Sequence, residues 1–146
     1  MDPVPASLNP AAAASLQRWH GLVEAGSMEG LSDIVHPDAV FRSPAVHAPY
    51  PSAAALTTVL GAALQVFEDF TYHRQFASAD GMSAVLEFTA RVGDKELKGI
   101  DMIRFDDAGK IVEFEVMVRP ASGLMALAQA MGARLGDKAA GLKEKA

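Results

Sequence analysis

The stretch from Met82 to Arg119 constrains this chain more than any other. Near its end, Val112, Phe114, Val116 and Val118 alternate with Glu113, Glu115, Met117 and Arg119. A period of two puts the first set on one face of a strand and the second on the other. A strand with one wholly apolar face needs a second layer to cover that face. Gly93-Asp94 and Asp106-Asp107-Ala108-Gly109 are hairpin-turn chemistry. They divide the stretch into strands over about Met82–Val92, Glu96–Phe105 and Lys110–Arg119. Asp80-Gly81 closes an earlier strand over about Phe70–Ala77. Four successive strands joined by tight turns make an antiparallel meander.

The covering layer is written upstream. Asn9-Pro10 is a helix start, with Asn as N-cap and Pro at the first helical position. Leu16, Trp19, His20 and Val23 then fall on one helical stripe, which Gly26 ends. A short second helix carries Leu31, Ile34 and Val35 and stops at His36-Pro37. Ala39–Arg42 reads as a short strand running into the loop Pro44–Pro51. Ser52 caps a third helix with the stripe Leu56, Val59, Leu60, Ala63, Leu64 and Phe67. Beyond Pro120, a last helix over about Ser122–Leu135 precedes a small, charged tail that frays, as residues 1–8 do as a loose arm. The order α-α-β-α-β-β-β-β predicts an α+β fold: a strongly curved antiparallel sheet wrapped on three helices. Residues 9–120 form this cone-shaped domain, and residues 121–146 form a C-terminal helix and charged tail. The hollow of the cone is the default place for a ligand.

Composition removes several classes of function. A formal net charge of −5 with no basic cluster outside the tail argues against nucleic-acid binding. The absence of cysteine removes disulfides, thiolate nucleophiles and Cys-type zinc sites. The four histidines, at 20, 36, 47 and 73, have no close metal-ligand spacing, so no metal is expected. No glycine-rich phosphate loop follows a strand, so no nucleotide cofactor is expected. The N-terminal segment has neither a basic flank nor the apolar length of a signal peptide or membrane span, so the expected location is the cytoplasm. Met102, Met117, Met125 and Met131 read as core and interface filler.

One residue breaks the pattern. Gly99, Asp101, Ile103 and Phe105 share one strand face, and Asp101 is a carboxylate among apolar neighbours. Either it lies at a sheet edge or on a satisfying partner, or it is buried and held for chemistry. His20 is either a packed side chain bonded to a backbone group or a base near Asp101. His47 and Tyr50 lie in the proline-rich loop, which borders the mouth of the cone. Ile103, Phe114 and Val116 supply the apolar lining. Alternation places Glu87 on the outer face with Val85 and Thr89; a one-residue slip at the Gly93 turn would instead set it toward Asp101, and the sequence leaves both orientations open. Arg119 reads as a surface or interface ion pair.

With this order in view, LQRWHGLVEAGSMEGLSDIVHPDAVFRSP and GIDMIRFDDAGKIVEF resemble the nuclear transport factor 2-like, or cystatin-like, superfamily. That group contains the ketosteroid isomerases and the SnoaL-type polyketide cyclases. The resemblance spans roughly residues 10–120. The isomerases use a tyrosine on the first helix, an aspartate base after the first strand and a second aspartate on a late strand. The resemblance puts these at Trp19, Ser43 and Asp101, so only the last is retained. It implies a protein that binds a small, largely apolar molecule. It further implies a cofactor-free isomerase, cyclase or hydratase, with Asp101 as acid or oxyanion donor and His47 or His20 as base. The other reading is a ligand-binding or dimeric interaction domain that has lost the isomerase triad. The superfamily's habit of pairing through the outer sheet face implies a homodimer.

Overall fold

A computed structural model describes residues 4–136. Helix α1 spans Pro10–Ala25, a single 3₁₀ turn spans Leu31–Ile34, and strand β1 spans Val35–Arg42. A two-residue strand β2 (Tyr50–Pro51) leads into α2 (Ala53–Val66). The meander follows as β3 (Glu68–Ala77), β4 (Ser83–Val92), β5 (Lys95–Phe105) and β6 (Ile111–Arg119), and α3 (Ala121–Leu135) closes the described chain. The six strands form one curled, unclosed sheet in the order β2-β1-β6-β5-β4-β3.

The local signals behave as their chemistry requires. Asn9 accepts from the Ala11 amide at 2.9 Å, and Ser52 accepts from the Ala55 amide at 3.1 Å. Gly26 ends α1 with φ of 67°. Asp106 accepts from the amides of Ala108 and Lys110, both at 2.9 Å, and so closes the β5–β6 turn.

Three expectations change. The expected second helix is only one 3₁₀ turn, and Val35 already belongs to β1. The strand runs through Pro37 because its ladder to β6 is interrupted there. Pairing passes from Val35–Ile111 to Val40–Glu113, so the bulged residues owe no amide to a neighbour. The sheet is also not wholly antiparallel, since β1 runs parallel to β6. Residues 4–8 are not a loose arm: Leu8 is buried, Val4 packs on the core, and the Asn9 amide donates to Gly81. The expected fraying of the tail concerns residues 137–146, which lie outside the described residues.

The inner face of the sheet carries Leu86 and Phe88 from β4, Asp101 and Ile103 from β5, and Phe114 and Val116 from β6. They pack with Leu16 of α1 and Leu56 of α2 into one core. Gly99 is there for a reason of space. A Cβ at 99 would overlap the Met117 carbonyl oxygen and the Phe88 ring. Phe88 in turn stacks on Phe70 with ring centroids 4.9 Å apart.

Candidate functional site

The sheet curls around a cavity of about 330 Å³ whose walls are almost entirely apolar. Val59, Leu60 and Ala63 of α2 form one wall and Met131 and Leu135 of α3 another. Trp19, Phe41, Tyr50, Phe67, Phe70 and Tyr72 give it an aromatic lining. Asp101 is the one carboxylate among the described residues on this surface. Strand pairing sets it between Leu86 and Val116, with all three on the inner face.

Asp101 is 5% exposed and is held by one protein hydrogen bond among the described residues. Its donor is the Tyr72 hydroxyl, which bonds Oδ2. Tyr72 Oη accepts in turn from Trp19 Nε1 at 3.0 Å. The three side chains, from α1, β3 and β5, form a directed chain Trp19 → Tyr72 → Asp101. The remaining carboxylate oxygen accepts nothing from the described residues, yet it is not sealed in, since His20 Nδ1 is the only buried unpartnered side-chain atom among them. Burial pushes the Asp101 carboxyl up to about 7, against the lowering pull of the Tyr72 hydrogen bond. Burial, and then the neighbouring Asp101 charge, hold the Tyr72 phenol well above its ordinary range. Asp101 thus titrates near neutrality while Tyr72 remains a donor.

The structure brings together Asp101, Trp19, Ser43, Tyr50 and Val116 of the residues expected at the site. Ser43 stands at the cavity wall with its Oγ accepting from the Ala45 amide at 3.1 Å. Tyr50 is seated there because β2 pairs back onto β1, which the proline-rich sequence disguised as open loop. Burial raises its phenol, and its hydroxyl has no hydrogen-bond partner among the described residues.

Five expected residues fall elsewhere. His47 is exposed outside the cavity, on the part of the loop that β2 does not pin. His20 is 3% exposed but lies behind the site. Its Nε2 meets Gln75 Oε1 at 2.8 Å, its ring stands edge-on to Tyr72, and burial lowers its pKa. Ile103 and Phe114 are fully buried beneath the wall, Phe114 between Trp19 and Phe41. Glu87 is turned outward, because Val92 pairs with Lys95 across a two-residue turn and this register sets Glu87 opposite Ile100. There Arg74 (2.6 Å) and Lys98 (2.9 Å) cover it, and the Arg74 hydrogen bond leads in holding its carboxyl well below the usual range.

Tyr72 was missed by sequence reasoning. Its signal was present but weak: a tyrosine two residues after Phe70 shares the strand face that points inward. No group of three or more His, Cys, Asp or Glu among the described residues could hold a metal ion. No helix among them is long and apolar enough to cross a membrane.

None of the curated proteins matches the chain. Among solved structures, a steroid delta-isomerase from Pseudomonas aeruginosa is 60% identical over 94% of this chain and 98% of its own, with a TM-score of 0.89. An uncharacterised bacterial protein with a cystatin-like fold from Silicibacter pomeroyi DSS-3 is 28% identical over 95% of this chain and 96% of its own, with a TM-score of 0.82. The epoxide hydrolase/cyclase-like enzyme SalBIII shares the fold, at 14% identity over 75% of this chain and 91% of its own and a TM-score of 0.62. A model of the SnoaL-like domain matches residues 16–114. The chain belongs to the SnoaL-like domain family, within the NTF2-like proteins of cystatin-like fold.

Proposed function

We propose that this chain binds a small, largely apolar ketone in its cavity and moves a proton along it without a cofactor, Asp101 acting as both base and acid. The observation that carries this is the free oxygen of Asp101 at the wall of an apolar cavity, on a carboxyl that titrates at about 7. A group poised near neutrality serves both directions of proton transfer. As carboxylate, Asp101 removes a proton from the carbon next to the carbonyl, and the bonding electrons move onto the carbonyl oxygen as an enolate. As acid, it returns that proton at a conjugated carbon, and the double bond shifts. Tyr72 holds Oδ2, which leaves the other oxygen for exchange. Tyr50, neutral and without a hydrogen-bond partner among the described residues, is the donor available to the enolate oxygen. The 60% identical neighbour is named a steroid delta-isomerase, which favours a fused-ring ketone as substrate.

The test is isomerisation of a β,γ-unsaturated steroid ketone, followed by the ultraviolet band of the conjugated product. Wild-type protein is expected to produce that band, and Asp101→Asn to lower kcat by roughly 10² to 10⁴. Equal turnover by Asp101→Asn overturns the assignment. A second reading, ligand binding without turnover, has one observation in its favour: no histidine or second carboxylate among the described residues lines the cavity. Tight binding of the ketone with no exchange of its α-protons into deuterated water would establish that reading instead.

We propose further that two copies pair through the outer face of the sheet. Phe76 and Met117 stand 50% and 44% exposed there, beside half-buried Val85, Ile100 and Met102.

A further inference from the structure

The cavity is unbalanced in charge. Among the described residues, Asp101 is its one carboxylate, and no lysine, arginine or histidine lines it. The cations on the strands around it, Arg74, Lys98 and Arg104, face outward onto Glu87 and Asp80. A buried carboxylate ordinarily finds a cation or several donors, and among the described residues this one has Tyr72 alone. The surfaces around it are the π-faces and edges of Trp19, Phe70 and Tyr72. We propose that the cavity also takes a hydrophobic amine, whose ammonium pairs with the free oxygen of ionised Asp101 while its apolar body packs on the aromatic wall.

The ammonium supplies the missing counter-charge, and aromatic faces add their own attraction for a cation in a desolvated site. Among the described residues an anionic ligand has no cation to meet there, and it faces repulsion from Asp101. Ionisation of Asp101 therefore selects the class of ligand. The neutral acid donates to a ketone or alcohol oxygen, and the carboxylate receives an ammonium. Few other groups can titrate beside it. Tyr72 on β3 and Tyr50 on β2 both stay protonated, and His20 on α1 lies behind Tyr72 and is kept neutral by burial. Among the described residues, α2, α3, β4 and β6 turn only apolar side chains toward Asp101. Below the pKa of Asp101, then, an amine binds only as the carboxyl gives up its proton to solvent. This inference needs the carboxylate and the cavity, and it does not depend on turnover.

Calorimetric titration with naphthylmethylamine, naphthylmethanol and naphthoate tests it. At about pH 8 the amine is expected to bind about tenfold or more tighter than the alcohol, and the naphthoate not at all. Below about pH 6 the amine affinity is expected to fall by about tenfold per pH unit. Binding there should release a proton, seen as heats that differ between buffers of different ionisation enthalpy. Asp101→Asn should lose the preference for the amine over the alcohol. Should that variant not fold, proton release by the wild type decides. Alcohol binding as tightly as amine at about pH 8, or amine binding at low pH with no proton release, overturns the inference. Steroid turnover with no amine preference would sink it alone, whereas amine preference with no steroid turnover would sink only the isomerase reading.

Discussion

Asp101 keeps its proton because burial disfavours its charged form by more than the Tyr72 hydrogen bond favours it. The consequence for stability has a definite sign. The folded carboxyl holds its proton up to about 7, while the unfolded chain releases it near 3.8. Between those values the folded state binds the extra proton, so this residue makes the fold less stable as pH rises through the interval. The full span corresponds to about 4 kcal/mol. Asp101→Asn keeps an acceptor for Tyr72 but has no charge to bury. Urea unfolding is expected to find it more stable than wild type above about pH 7, with little difference below about pH 4. A stability difference between Asp101→Asn and wild type that does not change with pH would contradict the shift. The oddity of Asp101 was legible, because alternation alone set a carboxylate among Gly99, Ile103 and Phe105. Its partner was not. Tyr72 reaches Asp101 across β4, the strand between theirs, and no local period encodes a contact at that separation.

The elements were legible wherever one force set them. Caps, turn residues and two-fold alternation fixed α1, α2 and the meander, with bounds displaced by a residue or two. The β1 region was misread because two forces compete there. Pro37 reads as a stop by its local chemistry, yet pairing with β6 carries the strand past it. Tyr50–Pro51 was hidden for the same reason, since its two residues become a strand only by meeting Val40 and Phe41. Gly99 offers a test of how tightly the meander is built. A new Cβ would meet both the packed Phe88 ring and the Met117 carbonyl, which belongs to a paired backbone. Gly99→Ala is expected to cost about 1 to 3 kcal/mol of stability by overpacking. Denaturant titration would check this, and a neutral or stabilising effect would show that β5 and β6 part more easily than their pairing implies.

At the scale of the whole molecule, the same strands serve two surfaces, because neighbouring residues point opposite ways. On β5, Asp101 faces the cavity while Ile100 and Met102 face out. The inner surface was recoverable from sequence because the core demands it, whereas the outer one asks for a partner that a single chain does not specify. Its composition is informative nonetheless. Phe76, Val85, Ile100, Met102 and Met117 make an apolar centre that water does not favour. Around it stand Arg74, Arg104, Glu113 and Glu115, the polar rim usual at interfaces. A two-fold pairing of this face with itself buries the centre twice over. Light scattering at about 10 µM is therefore expected to report a mass twice the 15.4 kDa of the chain. Met117→Lys sets an unpaired charge at the centre and is expected to give monomers. Because Met117 points away from the cavity, binding of an apolar alcohol should survive in that variant. A wild-type protein that runs as a monomer at this concentration removes the dimer. A Met117→Lys monomer that also loses the ligand would mean that pairing holds the curl of the sheet on which the cavity depends.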